Sequence, residues 1–209
     1  MALKSPDIDQ GLVLALVGES GAGKTTTTAV LAEKGFAPIA LSKHLREAAR
    51  ALYGTPKREQ VQSLARNTQK TEGDDYYAKV ALSDPAFGSS KNIVIDGLRN
   101  KAELNYTLAE VKKSGRSFFL VAVIASDDTR FERVVNRGRT GDPLERAKFD
   151  RDDARARGSA EDGFQQNSLL IDMAEHRLMN TGDVNELHNC IDAAIALALQ
   201  SAKLGEANE

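Results

Sequence analysis

The chain has 209 residues, of which 41% are hydrophobic and 28% charged, proportions of a globular protein that can bury a core and unlike those of disordered or fibrous chains. With 28 Lys+Arg against 30 Asp+Glu the net charge is -2, so no global field holds a polyanion, and an anionic partner must be met by local clustering. One cysteine, Cys190, excludes a disulfide framework and a four-cysteine zinc site and fits a reducing compartment.

Residues 1–10 and 200–209 are polar and aperiodic, as flexible termini are. No apolar run nears the ~20 residues that span a bilayer, and the start lacks the apolar region of a signal peptide. The expectation is a cytoplasmic protein with no membrane partner; composition implies no particular oligomer.

Residues 12–17 (LVLALV) form a continuous apolar run, as a strand buried on both faces of a parallel sheet requires. The next stretch, Gly18-Glu19-Ser20-Gly21-Ala22-Gly23-Lys24-Thr25, fits G-x-x-x-x-G-K-[ST] between that strand and a helix. Its glycines let successive N–H groups curl around phosphates at a helix N-terminus. Gly18, Ser20, Gly21, Ala22, Gly23, Lys24, Thr25 and Thr26 are therefore candidate nucleotide ligands. Lys24 would bridge β- and γ-phosphate oxygens and Thr25 would ligate Mg²⁺.

A second strand is expected over 36–41, followed by Ser42-Lys43-His44-Leu45-Arg46-Glu47. Ligands of an open parallel sheet lie beyond the carboxyl ends of its strands, so Ser42 and Arg46 could face them. Residues 57–71 place Val61, Leu64, Ala65 and Thr68 on one helical face. In Tyr76-Tyr77 the two rings cannot both face one ligand, and at least one should pack internally.

A third strand over 92–95 ends at Asp96-Gly97-Leu98-Arg99. A carboxylate there can hold Mg²⁺ through water, and Arg99 with Arg46 would make a bidentate clamp for a phosphate monoester. Leu104, Leu108 and Val111 mark a helix, 118–124 a fourth strand, and Phe131, Val134 and Val135 another helix. Arg133 and Arg137, four apart, share one face of it. Residues 137–163 carry arginines and carboxylates with few large apolar residues, reading as a solvated flap or lid. A short fifth strand is expected over 177–180 and a final helix over 184–199, with Val184, Leu187, Ile191, Ile195 and Ala198 in one stripe. His44, His176 and His188 lack metal-ligand spacing, and Cys190 falls near the apolar stripe.

Together GESGAGKT, SKHLRE, VIDGLR, TRFERVVNRGR with FDRDD, and HRLMNTGDVNEL resemble the nucleoside monophosphate kinase group of P-loop proteins, nearest to adenylate-kinase-like and dephospho-coenzyme-A-kinase-like members. The resemblance spans about 12–199. It implies an α/β three-layer P-loop NTPase sandwich with a parallel five-stranded sheet in the order 2-3-1-4-5 and a small arginine-rich lid. One kinase domain over 11–200 is implied, with an acceptor-binding helical insert at about 43–90 and the lid at about 137–163. ATP and Mg²⁺ are the implied cofactors, and a small nucleotide the implied acceptor. By the same resemblance Arg46 and Arg99 would hold the acceptor's phosphate, Asp96 would sit near Mg²⁺, and Arg133 near the ATP base. Arg137 and Arg151 would reach the phosphates from the lid, and Asn180 and Thr181 would edge the adenine.

Dephospho-coenzyme-A kinases carry an aspartate after the second strand where this chain reads Ser42-Lys43-His44, which favours a phosphate acceptor. Two other readings stand beside that one. A hydroxyl acceptor, dephospho-coenzyme A or a 5-hydroxymethylpyrimidine in DNA, would use Asp96 as base and could make nucleic acid a partner. A nucleotide-binding regulatory protein would use the loop without turnover.

Overall fold

The computed structural model describes residues 11–139, 141–158 and 165–206. The sequence folds as a parallel sheet of β1 (Leu12–Val17), β2 (Ala37–Ala40), β3 (Ile93–Asp96), β4 (Ser117–Ile124) and β5 (His176–Met179). Its order is β2-β3-β1-β4-β5, the order expected. Between β1 and β2 runs α1 (Lys24–Glu33). The connection from β2 to β3 holds α2 (Ser42–Tyr53), α3 (Arg58–Glu72), α4 (Tyr76–Leu82) and α5 (Pro85–Ser89). Then follow α6 (Lys101–Lys113) after β3, and α7 (Asp127–Arg137), α8 (Arg146–Arg157) and α9 (Asn167–Asp172) between β4 and β5. Helix α10 (Val184–Glu206) closes the chain.

The central strand explains the three layers. All six residues of β1 are buried, and successive side chains point to opposite faces. Leu12, Leu14 and Leu16 join the cluster containing Val30 and Leu31 of α1 and Leu187, Ile191 and Ile195 of α10. Val13, Ala15 and Val17 join the opposite cluster with Leu45, Tyr77 and Leu104 of α2, α4 and α6. Full burial of one such aliphatic side chain is worth about 1.5–3 kcal/mol, so both sheet faces demand a helical cover.

Local signals fix the helix starts. Asn100 caps α6 by accepting from the Glu103 N–H at 2.8 Å, and Ser126 caps α7 by accepting from the Thr129 N–H at 3.2 Å, with Asp127 and Asp128 in the first turn. Acidic residues there complement the helix dipole.

Several sequence expectations shift. Leu108 is 37% exposed while Thr107 is fully buried, because the Thr107 hydroxyl donates to the Glu103 carbonyl at 2.8 Å and can turn inward. Val184 lies outside the α10 stripe at 59% exposure. That helix continues through 200–206, part of the expected flexible terminus. Within the expected flap, α8 buries Phe149 and Asp153, and the Phe149 ring packs on Phe131 with centroids 5.4 Å apart. Residues 1–10, 207–209, 140 and 159–163 of the terminal and lid expectations lie outside the described residues. Among the described residues, no helix is long and apolar enough to cross a membrane.

Candidate active site

The register of the sheet brings the chemistry together. Asp96 pairs with Leu16 of β1 and with Ala40 of β2, so it ends β3 beside both the loop leaving β1 and the start of α2. Its Oδ1 is buried without a hydrogen-bond partner, an orphaned acceptor in a fold that otherwise pairs nearly all such atoms.

The loop from Gly18 to Thr25 has the backbone its glycines permit. Gly23 precedes α1 with φ 104°, and a Cβ there would run into the Asn180 side-chain amide. That amide donates to the Ala22 carbonyl at 2.8 Å, so the segment after β5 is stitched to the loop. Gly21, at φ 83°, lies so close to α7 that a Cβ would come within 2.5 Å of the Arg130 carbonyl. Lys24 folds back over the loop and donates to the carbonyls of Gly18 at 2.6 Å and Glu19 at 3.1 Å. Burial lowers its pKa; Asp96 opposes this, and Arg99, Arg137 and Arg130 reinforce it. Thr25 and Thr26 are exposed at the start of α1.

Arg133 and Arg137 of α7 both reach the loop. Arg133 approaches the Ala22 carbonyl at 3.5 Å and Asn180 Oδ1 at 3.4 Å. Arg137 donates to Ser20 Oγ at 3.3 Å and holds Asp142 in a fork of 2.7 and 2.9 Å. Burial would raise the Asp142 pKa, but Arg137 outweighs it and holds the carboxyl low. Arg151 is exposed. It sits two residues from Asp153, so it projects from the far side of α8, and the structure does not bring it to the loop. Thr181 is likewise exposed beside buried Asn180.

The residue of α8 that does reach the loop is Arg157, which pairs with Glu19. It belongs to a network that sequence reasoning missed. Arg130, fully buried, forms a two-armed pair with Asp153 at 2.7 Å per arm, and also meets Asp127 at 2.9 Å, Glu19 at 3.2 Å and the Ser20 carbonyl at 3.1 Å. Burial lowers the Arg130 pKa, but these acceptors outweigh it and the guanidinium is held charged. By donor type the carboxylates of Glu19, Asp127 and Asp153, within 4.8 Å of one another, could coordinate a divalent cation; here Arg130 and Arg157 already meet their charge. The signal in the sequence was Arg130 falling one turn before Val134 on the buried face of α7.

At the other edge, Arg46 donates to Ser42 Oγ one turn earlier. Burial lowers its pKa, and Arg139 and Arg99 lower it further, with Asp96 opposing. The exposed guanidinium groups of Arg46, Arg99 and Arg139 thus share one electrostatic neighbourhood with Asp96. Beside them opens a narrow cleft between β3, α2, α3, α4 and α6, whose lining includes Ser42, Leu45, Gln69, Tyr77, Arg99 and Glu103. Of the tyrosine pair, Tyr77 is buried and lines the cleft, while Tyr76 stacks edge-on against it at 5.2 Å. Across the phosphate loop, Arg58 at the start of α3 pairs with Asp152 of α8 at 3.6 Å. Gly141 packs on Arg58 so tightly that a Cβ would lie 2.9 Å from the arginine's own Cβ.

Comparison with known proteins places this architecture. A family model described as an AAA domain matches residues 14–158. The chain belongs to the AAA-domain family. This AAA-domain chain is also 30% identical over 175 residues to a UPF0200 protein of Hyperthermus butylicus, covering 84% of the chain and 88% of that protein. It is 31% identical over 149 residues to UPF0200 protein MK0400 of Methanopyrus kandleri, covering 70% of the chain and 72% of the relative. Among solved structures it superposes on TT1252 from Thermus thermophilus with TM-score 0.60 at 16% identity, covering 90% of this chain and 97% of that one. It superposes on shikimate kinase from Bacteroides thetaiotaomicron with TM-score 0.52 at 12% identity, covering 89% and 97%. For a gluconokinase from Sinorhizobium meliloti the TM-score is 0.51 at 13% identity, covering 94% and 97%. These likenesses show a P-loop kinase-like fold.

Proposed function

We propose that this chain is a Mg²⁺-dependent phosphotransferase that moves the γ-phosphoryl group of ATP onto a nucleoside or deoxynucleoside monophosphate. The reading is supported by the orphaned Oδ1 of Asp96 at the end of β3 beside the phosphate loop, with the charges of Arg46, Arg99 and Arg139 in the same electrostatic neighbourhood. Like charges held together raise each other's energy, and an acceptor phosphate relieves that repulsion with fork-shaped hydrogen bonds.

The donor would lie on the loop, its phosphates cradled by the N–H groups from Ser20 to Thr26 and by Lys24, with Arg133, Asn180 and Thr181 toward the base. The exposed Thr25 hydroxyl and the unpartnered Oδ1 of Asp96 suit Mg²⁺ and its waters. When bound, that ion neutralises charge on the β- and γ-phosphate oxygens. Ser42, Arg46 and Arg99 would seat the acceptor in line, while Arg137 stabilises charge spreading over the transferred group. Arg151 would require rotation of α8 to take part. We read residues 11–200 as one kinase domain, with an acceptor-binding insert at about 43–90 and a lid at about 137–163.

One observation favours a second reading. The orphaned Asp96 oxygen is also what a hydroxyl acceptor needs as a base, whether a small molecule such as dephospho-coenzyme A or a 5-hydroxymethylpyrimidine in DNA. The test is ADP release across all ribo- and deoxyribonucleoside monophosphates, with hydroxyl acceptors in parallel. Turnover with a monophosphate supports the first reading; silence with all of them overturns it, and turnover with a hydroxyl acceptor alone installs the second.

A further inference from the structure

Glu19 stands where an anion-binding loop has reason to avoid a carboxylate. It is the second residue of the run from Gly18 to Thr25, and a negative charge there opposes the arrival of a polyphosphate. Yet the side chain is only 17% exposed, and both of its oxygens are engaged. Arg157 Nε donates to Oε1 at 2.5 Å, and Arg130 Nη2 meets Oε2 at 3.2 Å. One arginine comes from α7 and the other from the last residue of α8, so Glu19 is where two helices grip the loop together.

The same arginines share two further carboxylates. Arg130 bonds Asp127 and Asp153, and Arg157 meets Asp127 at 3.3 Å and Asp153 at 3.1 Å. Two guanidinium groups thus face three carboxylates, and Asp127 and Asp153 alone would balance their charge. What Glu19 adds is attachment to the loop, and that attachment has a direction. Arg130 Nη1 also donates to the Ser20 carbonyl at 3.1 Å, and in a planar trans peptide the next N–H points opposite to the carbonyl. Holding the Ser20 carbonyl toward Arg130 therefore turns the Gly21 N–H away from it. Asn180 does the same for the next anchored peptide, holding the Ala22 carbonyl at 2.8 Å and so turning the Gly23 N–H away. Amides turned off their anchors in this way are what a backbone cradle for an anion needs.

We propose that Glu19 is a positioning residue for the phosphate donor: gripped by Arg130 and Arg157, it fixes the loop in the shape that presents its amides, and it touches no phosphate itself. The proposal rests on the seating of ATP on that loop. It also reverses the expectation from charge alone. A carboxylate that merely sits near phosphates weakens their binding, so removing its charge tightens it; removing an anchor loosens the loop and lowers affinity.

The experiment is calorimetric titration of the full chain with a non-hydrolysable ATP analogue and Mg²⁺, comparing wild type, Glu19→Gln and Glu19→Asp, with thermal melts as a folding check. Glu19→Gln removes the charge at constant length. Glu19→Asp keeps the charge but, one methylene shorter, gives up the span between the two arginines. Each should raise the dissociation constant about tenfold. Charge alone predicts tighter binding for Glu19→Gln and no change for Glu19→Asp, and a role confined to stability predicts no change in either folded variant. Binding by Glu19→Gln as tight as wild type's, or tighter, overturns the proposal and leaves the ATP site standing. If Glu19→Gln fails to fold, Glu19→Asp gives the answer by the same measure. A folded wild type that does not bind the analogue overturns both the positioning role and the donor site it serves.

Discussion

Arg130 of α7 and Asp153 of α8, 23 residues apart, meet in a two-armed ion pair with both contacts at 2.7 Å and both side chains nearly sealed from solvent. Around them sit Glu19 of the phosphate loop and Asp127, so the loop, the arginine-bearing helix and the segment above it share one electrostatic knot. Removing one partner of such a pair strands the other charge. Asp153→Asn should lower unfolding stability by about 3–5 kcal/mol. Asp127→Asn, at a site 52% exposed, should cost less than about 1 kcal/mol. Urea denaturation of both variants checks the contrast.

Glu103 predicts an unusual slope of stability with pH. Its folded pKa of about 7 exceeds the ordinary 4.5, so the native state binds the proton more tightly than the unfolded chain. Between those values stability must fall as pH rises, and below 4.5 the penalty disappears. At about 1.36 kcal/mol per pKa unit the full swing is on the order of 3 kcal/mol. Denaturation of wild type at pH 5 and 8 should show it, and Glu103→Gln should remove it.

Gly23→Ala places a methyl group against the Asn180 amide at a left-handed φ of 104°. The backbone term alone is about 1–2 kcal/mol, and the collision must push the segment after β5 off the loop. The expected result is lower thermal stability and no stabilisation by a non-hydrolysable ATP analogue, which wild type should show as a raised Tm.

Arg137→Ala separates chemistry from folding. Its partner Asp142 is only 8% exposed and would lose a two-armed bond, so stability should fall by about 1–3 kcal/mol, which leaves the protein folded for kinetics. Under the proposed function the turnover number should drop about 10³-fold or more. A KM for ATP that rose with no change in turnover would assign Arg137 to ground-state binding.

What the sequence made legible were features written in consecutive residues. The run from Leu12 to Val17, the glycines before Lys24 and the carboxylate closing β3 each announce themselves within a single strand or turn. The knot around Arg130 is invisible in that way, because its partners come from three segments that only the tertiary fold unites. The choice between Arg151 and Arg157 shows the same limit: both lie on α8, and only the burial of Phe149 and Asp153 sets the helical phase that turns Arg157 toward Glu19. Thr107 displaced Leu108 because apolarity alone ignores a hydroxyl that can bond its own helix.

Arg58 has a role larger than its single ion pair. It roots the helix that carries Ala65 and Gln69 of the cleft, and it touches Gly141 and Asp152 on the segment above the phosphate loop. A molecule seated against α3 and one seated on the loop would therefore press on a common joint. Reciprocity then applies: by whatever factor the first alters the second's affinity, the second alters the first's, and Arg58→Ala would leave the two equilibria to run independently.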